Sequence, residues 1–139
     1  MNIRQKSETE FIIVMASLMS LVALAIDALL PAISDISISL NISDPKNSQL
    51  FITMIFLGLG FGQLLSGPLS DSFGRKPIIY FGFTVFVLAS IICVFSTNLE
   101  MMIVGRVLQG IGLSAPRTIS IAMVRDRFSG NYMARVMSF

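Results

Sequence analysis

Three charged side chains sit inside otherwise apolar runs of this chain: Asp27, Arg106 and Arg117. An ionisable group in hydrocarbon costs about 2.5–3.5 kcal/mol on the insertion scale, so each needs a partner or a wet cavity. A carboxylate so placed can bind and release a proton or face a cationic substrate, and a nearby guanidinium shifts that balance. Asp27 lies six residues before Ile33 and Arg106 seven after Leu99, about 9 and about 10 Å from the ends of their runs. The two depths match, so the spacing predicts that Asp27 and Arg106 pair or share a cavity. They then serve either as coupling groups or as an ion pair that only holds the bundle together. Arg106 and Arg117 are 11 positions apart, which returns to within about 20° of one helix face. Gln109, Gly110 and Leu113 lie on or near that face, making a polar stripe expected to line a cavity rather than meet lipid. Pro116 should weaken the helix beside Arg117. Snorkelling to a surface about 10 Å away is the other reading of Arg117.

No covalent chemistry is encoded. There is no nucleophile–base pair, and Gly58, Gly60 and Gly62 lack the Lys-Ser/Thr of a phosphate loop. The chain has no histidine, which excludes a His-ligated metal, and Cys93 alone cannot form an intramolecular disulfide. The residues therefore imply no enzyme, no metal and no cofactor. A net charge of +2 is too small to point to nucleic acid.

The elements that must position these groups follow from composition. The chain is 54% hydrophobic and 13% charged, against about 45–50% and about 25% in a soluble domain. The charges are squeezed between four apolar blocks, which predicts an all-α membrane protein. After a polar start over 1–10, spans are expected near 11–33, 49–70, 77–96 and 99–124, with a fifth beginning near 131–139. The connections are Ser34–Ser48, Asp71–Lys76 and Thr97–Asn98. Thr97 and Glu100 have capping-box spacing, and Pro77 suits a first helical turn. Gly58, Gly62 and Ser66 in span two, and Gly110 and Ser114 in span four with Gly112 beside them, form small-residue faces for close packing. Arg4, Lys6, Arg75, Lys76, Arg125, Arg127 and Arg135 fall on one side of this topology and Lys46 on the other. The positive-inside rule puts the N-terminus in the cytoplasm. Ala23-Leu24-Ala25 offers the alternative of a cleaved signal peptide, against which stand Glu8 and Glu10.

Residues 67–77 read Gly-Pro-Leu-Ser-Asp-Ser-Phe-Gly-Arg-Lys-Pro. This string resembles the loop between helices two and three of the major facilitator superfamily, G-x-L-[SA]-D-[RK]-x-G-R-[RK]. Gly67, Leu69, Ser70, Asp71, Gly74, Arg75 and Lys76 match; Ser72 replaces the usual basic residue. Gly105-Arg106-Val107-Leu108-Gln109-Gly110-Ile111-Gly112 resembles the helix-four signature R-x-x-Q-G-x-G, whose arginine is assigned to proton coupling. Asp27 with Leu30-Pro31-Ala32 resembles the end of helix one in proton-coupled drug exporters. Ala115-Pro116-Arg117 and Val124-Arg125-Asp126 are most similar to the bicyclomycin-resistance (Bcr/CflA) branch.

The resemblance implies part of the N-terminal half of a twelve-helix transporter, whose two six-helix halves rock around a midplane site. It implies a cytoplasmic gate at Gly67, Asp71, Gly74, Arg75 and Lys76. It also implies a proton-coupling or substrate cavity at Asp27, Arg106, Gln109 and Arg117. Expected partners are the bilayer, protons, a small-molecule substrate and the remaining C-terminal helices, in a bacterial inner membrane. Drug export is the expected activity. The rivals are a metabolite or sugar porter of the same fold, and a truncated, inactive or oligomerising four-helix protein.

Overall fold

The computed structural model describes residues 3–40 and 45–128. Five helices and no strand occur among the described residues: α1 Ile3–Asp27, α2 Leu29–Ser39, α3 Pro45–Phe73, α4 Arg75–Val94 and α5 Leu99–Arg127. Four stretches are long and apolar enough to cross a bilayer: Glu8–Ser39, Gln49–Phe73, Arg75–Val94 and Leu99–Arg127. The first joins α1 and α2; the others are α3, α4 and α5. The expected start of a further helix at 131–139 lies outside the described residues.

Span one runs well beyond Ile33. Only Ala28 separates α1 from α2, its backbone is helical (φ −63°, ψ −21°), and its N–H still bonds the Leu24 carbonyl at 2.9 Å. The interruption has a local cause. Pro31 has no N–H to offer the Asp27 carbonyl four residues back, and its ring crowds that position. The break therefore falls at Ala28, directly after the acidic residue.

The expected connection Asp71–Lys76 contracts to one residue. α3 continues through Pro68 to Phe73, and Gly74 alone turns the chain into α4 with φ 92° and ψ 157°. That region is open almost only to glycine, and the Gly74 N–H bonds the Ser70 carbonyl at 3.0 Å. Pro77 falls in the first turn of α4, where an N–H has no helical acceptor. The expected capping box is displaced by one residue. Asn98, not Thr97, is the N-cap of α5, and its side chain accepts from the Met101 N–H at 3.0 Å. Asparagine caps at least as well as threonine, and Glu100 then lies in the first turn, at the positive end of the helix. α5 stays helical through buried Pro116.

α5 is the central helix. It is the most buried of the four spans although it is the least apolar, with mean hydropathy 1.2 against 2.4 for the first. Bilayer packing has this logic: the least apolar helix is shielded by others, and the most apolar ones meet lipid. Glycines let backbones approach. A Cβ on Gly58 would collide with the Val107 carbonyl, one on Gly110 with the Ile55 carbonyl, and one on Gly62 with the Ser114 side chain, so α3 and α5 are in backbone contact. On the other side, a Cβ on Gly112 would stand 2.6 Å from the Phe86 nitrogen and 2.7 Å from the Gly82 carbonyl of α4.

Three clusters stack along the bundle. Leu29, Phe51, Cys93 and Met102 close one end. Val22, Ile55, Leu59 and Leu113 fill the middle. Met15, Val124 and Phe128 close the other end, where Phe11 meets Phe128 edge-on at 6.1 Å and Arg127 lies over the Phe11 ring at 4.6 Å. The beginning of α1, the α3–α4 corner and the end of α5 thus share one end, the one rich in cations.

Candidate functional site

Arg106 projects from α5 into the protein and is 9% exposed. Its Nη1 donates to Gln109 Oε1 at 2.8 Å, one helical turn along. Gln109 is also buried, and its Nε2 donates across to Ser90 Oγ of α4 at 2.8 Å. Ser90 Oγ in turn donates to the Phe86 carbonyl at 2.8 Å. Arg106 Nε is buried with no hydrogen-bond partner among the described residues. The chain of contacts is Phe86–Ser90–Gln109–Arg106, in the middle of apolar helices.

The expected stripe divides. Arg106, Gln109, Gly110 and Leu113 are buried among the described helices, whereas Arg117 is exposed. Spacing sets the direction of a side chain on its helix; which helix stands opposite is decided by packing. Asp27 does not pair with Arg106: no ion pair links them among the described residues, and Asp27 is exposed. It ends an open face of α1 that also carries Ile13, Ala16, Ser17, Ser20 and Leu24. This is a small, hydroxyl-bearing face closed by a carboxylate at a helix break.

A second cluster lies at the cation-rich end. Arg75, the first residue of α4, reaches three groups. Its Nη1 donates to Ser70 Oγ at 3.1 Å, and its Nη2 donates to Asp126 Oδ2 of α5 at 3.0 Å and lies 3.3 Å from Asp71 Oδ1. The Gly74 turn makes this possible, because it brings α4 back along α3 within one residue. Arg75 is two-thirds covered, while the Asp71 side chain is 69% exposed and keeps its outer face free. Gly67, by contrast, sits inside α3 with open space where a Cβ would point. From sequence, Asp126 enters only within the Val124-Arg125-Asp126 string, with no role as a site residue, and Ser90 not at all. Asp126 sits between Arg125 and Arg127, which disguises it, and Ser90 is an ordinary hydroxyl in an apolar span.

The sequence profile of the Major Facilitator Superfamily matches residues 15–139. The chain belongs to that superfamily. Among curated relatives, the bicyclomycin resistance protein homolog of Haemophilus influenzae is 36% identical over 135 residues, 97% of this chain and 34% of that protein. The multidrug resistance protein MdtL of Citrobacter koseri is 30% identical over 130 residues, 94% of this chain and 33% of the relative. A chloramphenicol resistance protein of Pseudomonas aeruginosa is 34% identical over 117 residues, 84% of this chain and 28% of the relative. The chain spans about a third of the length of these relatives. Superfamily membership and four spanning helices make it a multi-pass membrane protein of the transporter class.

Proposed function

We propose that this chain forms the N-terminal part of a proton-coupled exporter of drugs or other small molecules. It lies in a bacterial inner membrane with its cation-rich end in the cytoplasm. The observation that carries the reading is Arg106: a guanidinium buried in a spanning helix, held by an uncharged amide, with Nε unpartnered. Among the described residues no carboxylate pairs with it. A coupling group needs its charge left uncompensated in one state so that a carboxylate or substrate can compensate it in another. Asp27 is the carboxylate proposed to load and unload the proton. Its place at the Pro31 break gives it a backbone that can move. Gln109 positions Arg106, and Arg117 is exposed nearer the cation-rich end. Gly67, Asp71, Gly74, Arg75 and Lys76 form the cytoplasmic latch. Arg75 ties α4 to α5 through Asp126, and the outer face of Asp71 is left for the positive end of a helix in the other half. The names of the relatives support drugs as the cargo.

A chimera tests this. The chain replaces the segment it matches in the Haemophilus influenzae relative, and bacteria lacking their own exporters are challenged with bicyclomycin. The chimera should confer resistance, and Asp27→Asn and Arg106→Lys should each abolish it at equal membrane abundance. Full resistance in both variants would refute the roles given to these residues.

A further inference from the structure

We propose that Ser90 is a positioning residue for Arg106, acting through Gln109. The Ser90 hydroxyl has one hydrogen, and it is committed to the Phe86 carbonyl at 2.8 Å. Toward Gln109 it therefore presents only lone pairs. Only the NH₂ end of the amide can face it, as the 2.8 Å contact from Nε2 records. The carbonyl end is thereby turned to Arg106, whose guanidinium is donor-only and finds its acceptor at 2.8 Å. With the amide reversed, donors would meet donors at the guanidinium. The hydroxyl on α4 and the guanidinium on α5 thus call for the same amide orientation, and the amide links the two.

The anchor is neutral at every link. It holds Arg106 in one place without cancelling its charge, which an acidic anchor would do. The buried Nε has no partner among the described residues. The functional meaning of this arrangement rests on the coupling role proposed for Arg106; the hydrogen-bond chain itself does not.

The test uses the full 139-residue chain in detergent micelles, with nitrogen-15 at glutamine side-chain amides and arginine Nε. Arg106→Lys and Gln109→Leu assign the two resonances. Ser90→Ala should speed hydrogen exchange of the Gln109 side-chain amide about five- to tenfold, the effect of losing one neutral hydrogen bond. It should also displace the Arg106 Nε–H resonance, although Ser90 does not bond Arg106. Ser90→Thr, which keeps the hydroxyl, should restore both. In the Gln109→Leu background, Ser90→Ala should no longer move the Arg106 signal. Should Ser90→Ala not fold, Ser90→Cys replaces it with a poor acceptor of similar size and should give the same changes. An unchanged Gln109 exchange rate overturns the proposal, as does an Arg106 displacement that persists without Gln109. Neither readout depends on transport, so failure of the export reading and failure of this one are distinguishable.

Discussion

Asn98 sets where α5 starts, and α5 carries Arg106, so a cap fixes the depth of the central charge. Asn98→Ala should lower stability by about 1 kcal/mol, whereas Thr97→Ala should stay within about 0.5 kcal/mol. Reversible unfolding in mixed micelles, followed by helical circular dichroism, distinguishes the two; equal losses would place the cap at Thr97. At this scale the sequence was legible for identities and poor for partners. The cost of burying a charge marked Asp27 and Arg106 as unusual. Their matched depths suggested a pair, yet Arg106 is held by Gln109 and Asp27 is exposed. Depth along a helix is readable from residue counts. The rotation of α1 that turns Asp27 away from α5 depends on every contact between those helices and leaves no local mark. Arg75 and Asp126, 51 positions apart, meet only because Gly74 reverses the chain.

The glycines show which element contacts are indispensable. Gly58 and Gly60 are two residues apart on α3, and only Gly58 lies against α5. Gly58→Ala should cost about 1–3 kcal/mol through overpacking. Gly60→Ala, with open space around it, should be neutral or stabilise by about 0.5–1 kcal/mol through helix propensity. The same unfolding assay reads both, and similar effects would mean that α3 does not pack on α5 through this face. Small residues at four-residue intervals announced that face, because period and side-chain size are local properties. Element ends were less legible. Ser34–Ser39 reads as a polar connection, yet it continues the helix. Asp71–Lys76 reads as a loop, yet only Gly74 needs to leave helical geometry. Polar residues at a membrane surface are compatible with helix or loop, and hydropathy alone does not separate them.

For the whole molecule, the arrangement places an inert-looking shell around a charged centre. α3 and α4 enclose α5 and offer large apolar side chains outward, such as Phe61, Leu64, Phe81 and Val94, as lipid requires. α1 is attached more lightly: its Met15 and Val22 join the core while the Ser17–Asp27 face stays open. The described residues thus form a closely packed α3–α4–α5 block with α1–α2 beside it. Four spans and the shared cation-rich end were legible from hydropathy and charge placement. The mutual seating of the helices was not, because it is settled by backbone contacts at a few glycines. The central claim is that Asp27 and Arg106 couple a proton to cargo, and one measurement meets it directly. Inside-out vesicles bearing the chimera are acidified by respiration, and the release of lumenal protons is followed by a pH-sensitive dye on adding drug. The account predicts drug-dependent proton release that vanishes in Asp27→Asn and in Arg106→Lys. Drug-driven release of unchanged size in Asp27→Asn would contradict it.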